Sequence, residues 1–109
     1  GWIMSQVDLA GSSIASRVAN SRTATVAVTS FTFKEPVWVG DVVSFYATVL
    51  KVGTTSITVD VTVFAERLHK DNHRIVKVTE AQLVFVALNK DGRPQPVYRA
   101  DNPAPEKTE

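Results

Sequence analysis

The chain has 109 residues, 44% of them hydrophobic and 21% charged, the composition of a single folded domain, which excludes disordered and fibrous classes. Twelve Lys and Arg stand against eleven Asp and Glu, so the net field is too weak to recruit nucleic acid or an anionic membrane, and neither is expected as a partner. Having no cysteine removes disulfides, thiolate metal ligands and cysteine nucleophiles; without a signal peptide or an apolar run of about 18 residues, a soluble, cytoplasmic protein is expected.

The first element is a helix. From Trp2 to about Asn20, apolar residues recur at Ile3, Val7, Ala10, Ile14 and Val18, steps of three and four that draw one stripe. Thr23 to Lys34 is rich in β-branched and aromatic residues and predicts a first strand, ended by Glu35-Pro36. Beyond the corner Val39-Gly40-Asp41, a second strand spans Val42 to Lys51, and Val52-Gly53-Thr54 turns the chain into a third, Thr55 to Arg67. There Ile57, Val59, Val61, Val63 and Ala65 alternate with Thr58, Asp60, Thr62 and Phe64, a period of two with one face buried. His69 to His73 reads as a polar loop, Arg74 to Leu88 as a fourth strand, and Asn89-Lys90-Asp91-Gly92 as a turn. Pro94, Pro96, Pro103 and Pro105 break up the C-terminal stretch; residues 1–100 are expected to form one domain and residues 101–109 a flexible tail.

One helix followed by four long antiparallel strands predicts an α+β architecture with the sheet wrapped around the helix. A lone helix leaves much of such a sheet uncovered. The strand Thr23 to Lys34, carrying Val26, Val28, Phe31 and Phe33, is therefore expected to pair with its symmetry mate, giving a homodimer that stands alone or assembles into a tetramer or a trimer of dimers.

Several stretches, in their order and spacing, carry a family resemblance. They are GWIMSQVDLAG at residues 1–11, Thr25 to Val28, Phe33 to Val43 (FKEPVWVGDVV), Leu50 to Gly53, Val84 to Ala87 and the Asp91-Gly92-Arg93 turn. Together they resemble the hotdog-fold acyl-CoA thioesterases of the bacterial YciA type over nearly the entire chain. The resemblance implies a hotdog fold and hydrolysis of acyl-CoA to a free fatty acid and CoA, with no cofactor. It also implies that the family's catalytic aspartate, which sits in the long helix, is Asp8 here. Relatives carry a strand and a polar Gly-rich loop before this helix, on the order of two dozen residues, so that N-terminal strand is expected to be missing.

Residues three and four apart share a helix face, which makes Met4, Gly11 and Ser12 the neighbours of Asp8, and the small ones are expected to leave space beside the carboxylate. A solvated carboxylate favoured by the helix dipole is the competing reading. With the resemblance, Asp8 becomes a general base acting on water, or a nucleophile that forms a mixed anhydride. The backbone N–H groups of Gly1 and Trp2, at the helix start, are the implied oxyanion donors.

For CoA, the candidates are Gly53, Thr54, Thr55 and Ser56, against which stands an ordinary hairpin turn, together with the cations Arg93 and Arg99. Trp2 and Trp38 either line an acyl pocket or simply pack, and Asp60 and Glu80 are expected on the polar, solvent-facing side of their strands. His69 and His73 lack a further ligand, so no metal is expected. The helix contains no histidine, which favours thioester hydrolysis over the hydration chemistry that other hotdog proteins perform. The alternative class is a catalytically weak acyl-CoA-binding protein.

Overall fold

A left-handed asparagine ends the helix. In the computed structural model, which describes residues 1–69 and 72–106, α1 spans Trp2–Ala19 and stops where Asn20 takes φ 49°. The Asn20 and Ser21 amides fold back to the Arg17 and Ser16 carbonyls, a Schellman ending that closes α1 at Ala19, one residue short of the boundary expected at about Asn20. Four strands follow, β1 Thr23–Phe33, β2 Val42–Val52, β3 Ser56–His69 and β4 Asn72–Ala87. They make one antiparallel sheet in the order β1-β4-β3-β2, as the α+β reading expects. The ladder between β3 and β4 continues to the pair His69↔Asn72. These residues are thus strand rather than the loop expected at His69 to His73, of which Lys70 and Asp71 lie outside the described residues.

The alternation in β3 is the core itself. Ile57, Val59, Val61, Val63 and Ala65 are fully buried, and Ala81, Leu83, Phe85 and Ala87 of β4 lie beside them; each such side chain contributes about 1.5–3 kcal/mol when large. Val63 pairs with Thr79 but Phe64 with Lys77, so a bulge at Val78 brings both Val78 and Thr79 into the interior. Two further irregularities, at Val26 and Thr29, interrupt the β1 ladder, and bulges of this kind increase the local twist of an edge strand.

The buried line of α1 is Ile3, Val7, Gly11, Ala15 and Ala19, which corrects the stripe expected through Ala10, Ile14 and Val18. Gly11, Ala15 and Ala19 are small, so the helix backbone descends onto the sheet there, while Ala10, Ile14 and Val18 flank the contact. A Cβ at Gly11 would stand 2.9 Å from Cζ and 3.0 Å from Cε2 of Phe85. Real side chains do not pack so tightly, and only glycine permits this approach.

Two arginines fasten the connections. Arg67 is 7% exposed on β3; its Nε donates to Asp41 Oδ2 at 3.2 Å, its Nη2 donates to the Pro36 carbonyl, and its guanidinium lies 3.9 Å from the centroid of the Trp38 ring. Asp41 Oδ2 also accepts the Trp38 N–H at 2.8 Å, and Gly40 turns the chain there at φ 94°. At the other end of the molecule, Arg99 donates from Nη1 to the Ala19 carbonyl at 2.9 Å and from Nη2 to the Asn20 carbonyl at 3.1 Å. Asn102 Nδ2 reaches the Val18 carbonyl at 2.9 Å. These donors satisfy carbonyls that the last helical turn leaves unpaired. The packed chain therefore extends through Asn102, past the boundary expected at residue 100, and residues 107–109 of the expected tail lie outside the described residues.

Candidate active site

Residues 7 and 11 of α1 point into the sheet, so residue 8, rotated by about 100° from residue 7, stands on the flank of the contact. That flank faces β1. Asp8 is half-buried, and its Oδ1 accepts a hydrogen bond from Thr25 Oγ1 at 2.6 Å, a short, charge-assisted contact. Ser16, two turns along the same flank, shares a hydrogen bond with the Thr23 hydroxyl at 3.0 Å. Asp8, Ser12 and Ser16 thus line a hydroxyl-rich seam against Thr23 and Thr25. Gly11 does not contribute the space expected beside Asp8, because Phe85 occupies it from below; Ser12 is the small residue on the carboxylate's side, with its hydroxyl turned to the Leu9 carbonyl.

Beyond Thr25, the register of β1 determines what the carboxylate overlooks. Val28, Phe31 and Phe33 pair with Leu83, Ala81 and Thr79, residues that face the interior, so these β1 side chains share the helix-facing side of the sheet. Phe31 is half-buried against the core, but the helix does not cover the strip. Val28 and Phe33 are exposed, and Phe31 and Phe33 lean together with ring centroids 5.6 Å apart. Beside Asp8 there is consequently an open apolar strip on an edge strand, the kind of surface a hydrocarbon chain or a second protein chain covers.

The other expected site residues fall at the two ends of the helix. Gly1 is the N-cap and has no side-chain capping bond; Trp2 packs edge-on against Phe45, centroids 6.2 Å apart, with its indole more than half exposed. The free first-turn amides lie about six residues, roughly 9 Å along the axis, from Asp8, so α1 alone does not bring Gly1 and Trp2 to the carboxylate. At the C-terminal end, the backbone of the Gly53–Ser56 turn is occupied by structure. The Gly53 N–H donates to the Ser56 carbonyl, the Thr54 carbonyl accepts from Val97, and the Thr55 carbonyl accepts from Ala87. Arg93 is exposed on the turn that the Asn89 side chain closes. Arg99 is a helix cap, with Nε also paired to Asp101 at 2.7 Å, and its guanidinium is committed to that role.

Trp38 packs on Arg67, Asp60 and Glu80 lie on the face of the sheet away from the helix, and His73 Nε2 is held by Glu66. Thr25 escaped the sequence reading: it lies 17 positions from Asp8, and only the return of β1 along the helix joins them.

Comparisons with known proteins bear on this arrangement. A family model described as the thioesterase superfamily matches residues 1–71. The acyl-CoA thioester hydrolase YciA of Salmonella typhimurium is 42% identical over 98 residues, 89% of this chain and 74% of the relative. A hexameric hotdog-fold thioesterase of Campylobacter jejuni superposes with a TM-score of 0.84 at 40% identity, over 88% of this chain and 73% of its own. A hexameric broad-specificity acyl-coenzyme A thioesterase, solved as an aspartate-to-alanine mutant, gives 0.86 at 40% identity, over 94% and 74% of the two chains. These neighbours are hexamers rather than free dimers or tetramers. No described helix is long and apolar enough to cross a membrane. With its helix laid across an antiparallel sheet and its carboxylate at the sheet's open edge, the chain is a hotdog-fold member of the thioesterase superfamily.

Proposed function

We propose that this protein hydrolyses acyl-CoA thioesters, with Asp8 at the reacting carbonyl. The observation that carries the reading is the Asp8 carboxylate, fixed by Thr25 and set beside the partly open strip of Val28, Phe31 and Phe33. The acyl chain lies on that strip, which places the thioester next to the carboxylate. Two routes use the same geometry. In one, Asp8 takes a proton from water as the water oxygen attacks the carbonyl carbon; the tetrahedral intermediate then expels the CoA thiolate, which receives a proton. In the other, the carboxylate attacks the carbonyl, expels the thiolate and forms a mixed anhydride that water cleaves.

Backbone amides at a helix start are suited to the developing oxyanion. Because Gly1 and Trp2 stand about 9 Å along the helix from their own Asp8, the cleft is completed across a subunit boundary, with β1 edges paired between two chains. The hexameric state of the solved neighbours supports three such dimers as the working assembly. The reading places the enzyme in the cytoplasm, among its CoA ester substrates.

The test is steady-state hydrolysis of acyl-CoA esters from acetyl to palmitoyl, with released thiol as the readout. Asp8→Asn should lower kcat at least about a hundredfold, the scale of a lost base or nucleophile, while size-exclusion chromatography shows the same assembly. An unchanged rate removes Asp8 from the chemistry. Tight binding of the same esters without turnover would instead make the chain an acyl-CoA-binding hotdog protein, a reading favoured by the distance between Asp8 and the amides of its own helix start.

A further inference from the structure

The face of the sheet turned away from α1 carries an apolar groove that the acyl site does not use. Its volume is about 340 Å³, and Ser44, Tyr46, Phe64, Glu66 and Ile75 line it. The register explains the grouping. Phe64 stands opposite Ser44 on β2, and Glu66 opposite Ile75 on β4, while Val63 and Ala65, which alternate with them, fill the core. The Tyr46 and Phe64 rings meet edge-on with centroids 5.7 Å apart, and Tyr46 and Ile75 are more than half exposed. The one carboxylate, Glu66, is engaged by His73 Nε2, so what the groove offers a guest is mainly hydrocarbon.

A guest of that kind projects from the same chain. The Asp41 N–H donates to the Trp38 carbonyl at 3.0 Å and Gly40 takes φ 94°, the pattern of a type II turn with Val39 at its corner. Val39 is fully exposed, with a relative exposure of 108%. The turn beneath it is stiff, because Asp41 Oδ2 accepts the Trp38 N–H at 2.8 Å and the Arg67 guanidinium stacks on the Trp38 ring. An apolar side chain held rigidly in solvent loses little further freedom when a partner covers it.

We propose that the Val39 turn of one copy of this chain inserts into the groove of Tyr46, Phe64 and Ile75 on another, and that this knob-in-groove contact joins β1-paired dimers into the three-dimer assembly. The proposal rests on the three-dimer reading for the number of copies, and on the two surfaces alone for the contact. β1 and β2 are the opposite edges of the sheet, so pairing through β1 leaves the β2 side free. Knob and groove occupy different places on each chain, which makes the contact heterologous, and a heterologous contact builds a closed ring where its rotation closes. Val39 and Ser44, the near wall of the groove, are five residues apart, at most about 17 Å of extended chain. Around a threefold axis, two points so separated lie no farther than about 10 Å from the axis, the separation divided by the square root of three. Three copies therefore close tightly around the start of β2.

The test combines light scattering and cross-linking on the full chain, with acetyl-CoA hydrolysis recorded in parallel. Wild type should have the mass of three dimers. Val39→Asp and Ile75→Lys should each reduce it to the mass of one dimer, with the midpoint concentration for assembly raised at least tenfold. Both positions are exposed, and Ile75→Lys sets an ammonium opposite Glu66, so both variants should keep the wild-type circular dichroism spectrum. The chain has no cysteine, so Val39→Cys and Ile75→Cys supply the only thiols. Co-expressed and oxidised, these two single variants should form a disulfide-linked pair that neither forms alone. A three-dimer mass in both charged variants, or no mixed cross-link, overturns the proposal. A wild type with the mass of one dimer overturns it too, since the groove is then open in solution for some other occupant. Should a charged variant fail to fold, the mixed cross-link alone decides. Dissociation in both variants with no hydrolysis by wild type would support the contact and sink the thioesterase reading; hydrolysis by an assembly that neither variant disturbs would do the reverse.

Discussion

Gly11→Ala pits two known effects against each other inside one contact. Alanine is a better helix former than glycine by about 0.8–1.0 kcal/mol, and on an open face the change would stabilise α1 by that amount. At Gly11 the new methyl carbon would sit 2.9 and 3.0 Å from ring carbons of Phe85 and 3.6 Å from a methyl of Val61. Phe85 is fully buried, so its ring has no open space to swing into, and overpacking of such a core costs about 1–3 kcal/mol. The net expectation is a loss of up to about 2 kcal/mol, near 1 at the middle of the range.

Urea denaturation measures it, with the midpoint and slope fitted together so that a change in denatured-state compactness is not mistaken for stability. The diagnostic is a double-mutant cycle. In a Phe85→Leu background the clashing ring atoms are gone, and Gly11→Ala should become neutral or stabilising, a coupling of about 1 kcal/mol or more between residues in contact. If Gly11→Ala stabilises the wild type by the helix-propensity amount, with no coupling to Phe85, the close approach is not a constraint and the reasoning fails.

Thr25→Ala removes the hydroxyl bonded to Asp8 and should lower kcat about tenfold, the low end for a hydrogen bond to a charged group at an exposed site, while Thr25→Ser retains most of the rate; equal rates in the two variants would deny Thr25 a positioning role. Arg67→Met strands the Asp41 carboxylate, whose side chain is only 5% exposed, and should cost about 3–5 kcal/mol in urea unfolding, with part recovered in Arg67→Met/Asp41→Asn. The Lys77 ammonium bonded to Glu80, with Lys34 beside it, holds the Glu80 carboxyl below its usual 4.5. Its stabilising contribution is thus present above pH 4.5 and fades as acid carries the solution down through the lowered native value. Unfolding midpoints measured from about pH 6 to about pH 3 should fall less steeply in Glu80→Gln than in wild type, and parallel profiles would show that the lysines do not act on Glu80.

What the sequence reveals most clearly is what depends on period alone. Five β-branched or small apolar residues at every second position, from Ile57 to Ala65, can be buried together on only one side of a strand, and they are. The helix stripe was legible to within one residue because Ile3 and Val7 anchor it; its drift toward Ala10, Ile14 and Val18 arose from ranking positions by hydrophobicity. At a close helix–sheet contact the smallest residue takes the centre, so Gly11 was invisible to a pattern that weighs side chains by size. The capping role of Arg99 is hidden from sequence for another reason. Nothing near it in sequence contains a helix end, and its acceptors lie 79 and 80 positions away. Residue type marked it as a cation able to meet phosphate, and the path of the chain after Val97 made it a cap.

The same distinction bears on the candidate site. Asp8 was legible as a carboxylate on an otherwise apolar helix, but its usefulness comes from the phase of that helix. The buried line advances by four from Ile3 to Ala19, and residues 8, 12 and 16 advance in step with it as one flank on the β1 side. That flank meets β1, whose helix-facing Val28 and Phe33 remain exposed with Phe31 half-buried between them. The contact of Gly11 with Phe85 therefore has a second consequence. It sets how low α1 rides on the sheet, and with it the height of the Asp8 carboxylate over Thr25 and over the apolar strip. A helix lifted there by a single methyl would lengthen the 2.6 Å Asp8–Thr25 bond and shift the carboxylate away from the strip. Packing on the buried line of α1 and the position of the carboxylate on its flank are thus tied through one glycine.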